Sequence, residues 1–233
     1  MPKATLLIVT RNRAEQLKFG LASVRDQKYD DLEIVVLDDG STDDTADVVF
    51  PFEDVRYHCL RRGGGYRRNP SEVLNFGHLL AKSEVVIEQG GEVCHMNDCV
   101  TPLVGGCRPG VVVLARVHNG TLEDMARLAS IVKDRAYEFP LDVIPASIRT
   151  DAERWKVSRA GSGGFELYCG VERPVPFLFC GAIHRSDFEA VGGYDEKIRG
   201  KNDTDLAERL LVRGVRFRFV GNALAFHLKH GKS

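Results

Sequence analysis

Along the first hundred positions, short apolar runs alternate with longer stretches in which apolar residues return every three or four places. The runs at 4–9 (ATLLIV), 32–37 (LEIVVL) and 55–60, and the β-branched Val85-Val86-Ile87, have the habit of buried strands. Residues 13–27 set Leu17, Leu21 and Val24 at helical spacing. Residues 69–83 (NPSEVLNFGHLLAKS) do the same with Val73, Leu74, Phe76, Leu79 and Leu80, with Ser71 as the expected cap. A further helix is expected after Asp38-Asp39-Gly40, capped by Ser41 or Thr42 and carrying acids in its first turn. This alternation predicts an α/β fold: a Rossmann-like, mostly parallel central sheet with helices on both faces. Ligands of such sheets bind beyond the carboxyl ends of the strands.

The second half is less regular. GVVVLARV (110–117) reads as a strand, and 122–137 reads as a helix through Leu122, Met125, Leu128, Ala129 and Val132. Residues 140–176 are loop-rich and contain the cluster AGSGGF. PFLFCGAIH, a helix near 203–213 and VRFRFVGNALAFH close the chain. With no internal repeat and no linker, a single domain over 1–233 is expected.

Composition narrows the class. The 233 residues carry a formal net charge of -1, so no global attraction to nucleic acid or to a membrane surface is expected. No apolar run reaches the ~18 residues of a membrane helix, and the first apolar stretch is too short for a signal peptide. A soluble, cytoplasmic protein is the expectation. The six cysteines include no CxxC pair, so reduced thiols are expected. Cys94, His95 and Cys99 lie close together but match no common zinc spacing.

Four segments carry candidate chemistry. VVLDDGSTDDT places two acids at the end of a buried strand, where a carboxylate can accept from a base N–H or from ribose hydroxyls; Asp, Gly and Ser also simply form turns. CLRRGGGYRRNP surrounds three glycines with four arginines. It lacks the Lys-Ser/Thr ending of a P-loop, yet guanidinium forks suit phosphate oxygens, and Arg68 stands directly before a helix. SEVVIEQGGEVCH runs a strand into glycines and the acid Glu92. VGGYDEKIRGKNDTDLAERL brings Asp203 and Asp205 to a helix start, where each is a cap or a general base.

Taken in order, these segments resemble the family-two glycosyltransferases of GT-A fold. The likeness runs from TLLIVTRNR through LASVRDQKYDDLEIVVLDDGSTDDT and RRNPSEVLNFGHLLAKSEVVIEQGGE. It returns with FCGAIHRSDFEAVGGYDEKIRGKNDTDLAERL and ALAFHLKH, and is poor over 101–175. The resemblance implies inverting transfer of a sugar, of hexosyl type, from a nucleotide-diphosphate sugar to an acceptor hydroxyl. A UDP-sugar is the expected donor. The acceptor is a glycan, protein, lipid or small molecule. Residues 1–100 would form the nucleotide-sugar half and 101–233 the acceptor half.

By motif position, Thr10 and Arg11 would line the nucleotide pocket, Asp38 and Asp39 would contact base and ribose, and Arg68 would face the nucleotide. Asp203 matches the second acid of the family's Glu-Asp pair, the catalytic base. Two departures stand out: Gly90-Gly91-Glu92 occupies the place of Asp-x-Asp, and Asn202 replaces the first Glu of the pair. The resemblance keeps Glu92 as a ligand of a divalent metal, Mn²⁺ or Mg²⁺, with His227 as second ligand and His230 as its substitute. The missing acids keep a non-catalytic nucleotide-sugar-binding protein as the alternative, and the basic loop at 61–68 a second alternative, an enzyme acting on nucleic acid.

Overall fold

The computed structural model describes residues 3–25, 27, 29–61, 68–120, 167–169 and 178–228. Strands β1 (Ala4–Thr10), β2 (Leu32–Asp38), β3 (Val55–Cys59) and β4 (Val85–Gly90) form the parallel part of the sheet, in the order β3-β2-β1-β4. Strand β8 (Cys180–His184) runs antiparallel to β4 and leads into β6 (Val111–Gly120). The long β9 (Arg216–Leu228) lies parallel to β6, and β5 (Val93–His95) closes the far edge antiparallel to β9. Strand β7 (Leu167–Cys169) pairs with β6 off this path.

Both faces are covered, which explains why the parallel strands read as continuous apolar runs. On one face Leu6 and Ile8 pack under α1 (Ala14–Arg25), α2 (Thr45–Val49) and α4 (Val100–Gly106), through Leu17, Leu21, Val49 and Leu103. On the other, Leu7, Val35 and Val86 meet Val73 of α3 (Pro70–Leu80). Further along that face, Val112, Leu114 and Ile183 meet α5 (Arg185–Ala190) and α6 (Asn202–Val212) through Phe188, Leu206 and Leu210.

Several local expectations need correction. The cap of α3 is Asn69, not Ser71: its side chain accepts from Ser71 N, and Glu72 accepts from Asn69 N in a reciprocal capping box with Pro70 at the first turn. The buried side of α3 holds Val73, Gly77 and His78, while Leu79 is 79% exposed and Phe76 is also exposed. The polar His78 is inside because it has a buried partner in Glu88. Neither Ser41 nor Thr42 caps α2, whose start at Asp44 has no side-chain cap bond. The helix expected at 122–137 lies outside the described residues, as does most of the segment expected to be loop-rich.

Candidate active site

The carboxyl ends of β1, β2 and β4 open on a cavity of about 620 Å³. Thr10, Asp39 and Gly90 line it from these strand ends, and Pro70 and Asp203 line it from the starts of α3 and α6. This is the position where open α/β sheets take ligands. Thr10, Arg11, Asp39, Arg68, Glu92 and Asp203, six of the residues expected from sequence, are brought together here.

The two acids of the DDGS segment have different environments. Asp38 Oδ1 accepts from Ser41 N at 2.8 Å and Ser41 Oγ at 2.6 Å, and Oδ2 accepts from the Tyr57 hydroxyl at 2.6 Å. It is buried, and Asp39 rather than Asp38 lines the cavity; its hydrogen bonds build the turn. The segment continues as scaffolding: Ser41 Oγ accepts from Asn12 N, and Asp43 accepts from Ala14 N at the start of α1. Burial works against the Asp43 charge, but hydrogen bonds from Thr45 and Ala14 outweigh it and hold its carboxyl below the usual range. Asp39 alone of the pair faces the cavity. Arg68 donates to Asp39 Oδ1 at 2.9 Å and to the Leu60 and Arg61 carbonyls, so the guanidinium is fixed at the cavity wall. Thr10 Oγ1 is buried there without a hydrogen-bond partner, and Thr10 is only 3% exposed. An unmet hydroxyl at a cavity wall is a place for a ligand atom or water.

The second acid site follows β4. Gly91 has no room for a side chain: a Cβ there would stand 2.5 Å from Thr10 Oγ1. A Cβ on Gly90 would stand 3.0 Å from the Glu92 carboxyl, so the glutamate folds back over the space that a side chain at 90 would fill. Pairing of β5 with β9 sets Val93 opposite His227, and Leu228 N donates to Glu92 O at 2.8 Å. That register carries the His227 imidazole to Glu92, Nε2 to Oε1 at 3.4 Å, while Arg13 approaches Oε2 at 3.4 Å. Burial tends to raise the Glu92 carboxyl, yet the hydrogen bond and charge of His227 and the charge of Arg13 prevail and hold it low. A carboxylate and an imidazole at this spacing fit two neighbouring ligands of one ion with bonds of about 2.1 Å. Among the described residues no group of three or more His, Cys, Asp or Glu could hold a metal, so the other positions would come from a ligand and water. His230 lies outside the described residues. The Cys94, His95 and Cys99 trio is core: all three are buried, and burial pushes His95 down to about 4 and both thiols well up.

The third acid site is at α6. Asp203 is in the first turn and lines the cavity, but Lys201 holds the cap position. Burial, then the nearby Glu88 charge, push the Asp203 carboxyl up to about 6; a hydrogen bond from Tyr194 works in the opposite sense. Asp205 faces elsewhere. It accepts from Arg209 Nε at 2.9 Å and Nη2 at 2.6 Å, and Arg209 also donates to the Val191 and Gly193 carbonyls. Asp205 therefore secures the glycine turn before the helix.

Sequence reasoning missed the residues that hold this wall in place. Asn69 donates to the Glu196 and Ile198 carbonyls at 2.7 and 2.6 Å, and Asn75 binds both the N–H and the carbonyl of Tyr194 at 2.9 Å. Arg199 and Asn202 line the cavity beside Asp203. The one available signal was a run of amide and acid residues on a helix beside a glycine turn.

A profile of glycosyl transferase family 2 matches residues 5–159. The chain belongs to this family. That match holds Thr10, Arg11, Asp39, Arg68 and Glu92, whereas Asp203 and His227 lie beyond it. The family-2 chain is 29% identical over 235 residues to validoxylamine A glucosyltransferase of Streptomyces hygroscopicus subsp. jinggangensis, covering 92% of this chain and 53% of that protein. Its fold matches the Pyrobaculum calidifontis mannosyltransferase PcManGT, solved in complex with GDP-Man and Mn²⁺. The TM-score is 0.59 at 19% identity, over 97% of this chain and 56% of the other. It also matches S. aureus TarS in complex with UDP-GlcNAc, with TM-score 0.65 at 12% identity, over 99% of this chain and 60% of the other. The solved structures thus agree with a GT-A fold. The chain spans about half the length of the validoxylamine relative. Among the described residues no helix is long and apolar enough to cross a membrane.

Proposed function

We propose that the protein is an inverting glycosyltransferase that moves a sugar from a nucleotide-diphosphate sugar to an acceptor hydroxyl, with Asp203 as general base. The observation that carries this reading is the convergence of three kinds of group on one cavity. Asp39 and Arg68 sit at a nucleotide end, Glu92 sits beside His227, and an acid of raised proton affinity faces them from α6. Family membership and relatives named as glycosyltransferases support it.

In this mechanism Asp39 accepts from the base or ribose, and Thr10 and Arg11 line the same pocket. Arg68, fixed by Asp39 and two carbonyls, presents its charge to the nucleotide. A divalent cation, Mn²⁺ or Mg²⁺, held by Glu92 and His227 would neutralise charge on the departing nucleoside diphosphate. Asp203 takes the proton of the acceptor hydroxyl as its oxygen attacks the anomeric carbon. The new C–O bond forms on the face opposite the leaving group, and the nucleoside diphosphate departs with the electron pair of the broken bond. A carboxylate with a midpoint near 6 is ionised at neutral pH and more basic than an ordinary aspartate, which suits this task. A UDP-sugar is the first donor to try, and residues 101–233 supply the acceptor side as well as the base. A cytoplasmic setting goes with this reading.

A panel of nucleotide-sugars, each tested with and without Mn²⁺, decides the matter. One donor should raise the melting temperature at saturation and release its nucleoside diphosphate in a Mn²⁺-dependent manner. Stabilisation without any release, across acceptors and in water, would leave a nucleotide-sugar-binding protein instead.

A further inference from the structure

Beside Asp203, lining the same cavity, stands a carboxylate without a task in the mechanism above. Glu88 lies in the interior of β4, on the face that otherwise carries Leu7 and Val86, and is 2% exposed. Both its oxygens are occupied. Oε1 meets His78 Nε2 at 2.8 Å, and Oε2 accepts from the Tyr194 hydroxyl at 2.7 Å. The same hydroxyl oxygen lies 3.4 Å from Asp203 Oδ1. One phenolic proton thus stands between two carboxyl groups, and the shorter bond goes to Glu88.

The elements around this chain are built to hold it. Gly193 has φ +70, a conformation that favours glycine, and any Cβ there would stand 2.7 Å from Asn75 Oδ1. The turn therefore lets Asn75 grip Tyr194 by its N–H and its carbonyl. Phe188 stacks on His78 at 3.6 Å between ring centroids and meets the Tyr194 ring edge-on at 5.7 Å. The His78 ring, the Tyr194 ring and the Tyr194 backbone are each held by these contacts. A buried ionic group is weak evidence of a stabilising role, since apolar replacement of a whole buried pair is commonly neutral or stabilising.

We propose that Glu88, acting through the Tyr194 hydroxyl, is a positioning residue that orients Asp203 and sets its basicity. The proposal rests on the reading of Asp203 as the base. Each Glu88 oxygen is already engaged, one by His78 and the other by Tyr194. Charged and titratable groups face Asp203 from several elements. Glu88 comes from β4 and Tyr194 from the turn after α5, with His78 of α3 behind Glu88. Arg199 comes from the segment before α6, and Arg11, Arg13, Asp39, Arg68 and Glu92 line other parts of the same cavity. On α6 itself Asp205 and Arg209 neutralise each other. Of these, the negative charge of Glu88 raises the proton affinity of Asp203, and the Tyr194 bond lowers it.

The two partners therefore act in opposite directions, which gives a signature that a purely structural role lacks. The test is a ¹³C carboxyl NMR titration of the ligand-free protein, with the Asp203 signal assigned by its loss in Asp203→Asn. Glu88→Gln keeps the shape and should lower the Asp203 midpoint by about one unit. Tyr194→Phe keeps the ring on Phe188 and should raise it. The acidic limb of donor turnover should move the same way in each variant. A midpoint unmoved by Glu88→Gln, or moved in the same direction by both substitutions, overturns the proposal. Should Glu88→Gln fail to fold, Tyr194→Phe decides alone, and an unmoved midpoint overturns the proposal. Failure of the base assignment is read separately, as retained turnover in Asp203→Asn.

Discussion

Glu92 Oε1 and His227 Nε2 meet at 3.4 Å, although one residue follows β4 and the other lies near the end of β9. The meeting is a consequence of backbone register: β5 adds three residues to the edge of β9 and sets Val93 opposite His227. Both side chains then bracket one point beside the cavity. Glu92→Ala and His227→Ala should each raise the Mn²⁺ concentration needed for half-maximal turnover, and a chelator should abolish turnover of the unaltered protein. Full turnover in EDTA would remove both residues from the proposed metal site.

Asp39 and Asp38 should separate cleanly. Asp39→Ala should weaken nucleoside-diphosphate binding in calorimetry with little loss of stability. Asp38→Ala removes the acceptor of three short hydrogen bonds in a buried turn and should cost about 1–3 kcal/mol in denaturant unfolding. Equal affinity loss in the two variants, both fully folded, would show that Asp38 also reaches the nucleotide.

The pH dependence follows from the Asp203 midpoint. That carboxyl ordinarily ionises near 3.8, and in the folded chain near 6. Between those values the folded state binds more protons than the unfolded one, so this group's contribution to stability falls as pH rises through that window. Turnover moves the other way, since the base must be ionised: it should rise to half its plateau near pH 6. A profile flat from pH 5 to 8 would separate Asp203 from the rate-limiting step.

Asn69 joins two structures at once, the capping box of α3 and the segment 196–198 that leads to Asp203, the proposed base. Asn69→Ala should destabilise the fold by about 1–3 kcal/mol in denaturant titration. Turnover should suffer more than donor affinity, because the displaced segment belongs to the base and not to the nucleotide end. A loss of donor affinity equal to the loss of turnover would contradict this division.

What was legible in the sequence depended on length and repetition. The runs at β1, β2 and β4 are β-branched and buried on both faces, so their pattern has one reading. Three residues at β5, or six at α5, are too few to show a period, and both went unseen. Composition alone also ranked Leu79 above His78 for the interior of α3; the order reverses because Glu88 waits on the facing strand. Asp38 and Asp39 are the same residue type, and only the strand's pleat and the Ser41 turn decide which one faces the cavity. The Gly90-Gly91-Glu92 departure was visible, but its meaning was not: that Glu92 folds into the space over Gly90 is a fact of three dimensions.

The base is the centre of the mechanism, and two substitutions two residues apart test it. Asp203 lines the cavity, while Asp205 is bound to Arg209 and supports the glycine turn. Asp203→Asn keeps the side chain's shape but removes its capacity to accept a proton at neutral pH. Donor turnover should fall by about 10²–10⁴-fold while donor affinity and melting temperature hold. Asp205→Asn should lower the melting temperature modestly and leave most of the turnover. Turnover preserved in Asp203→Asn, or lost in a folded Asp205→Asn that still binds donor, would contradict the assignment of Asp203 as the base.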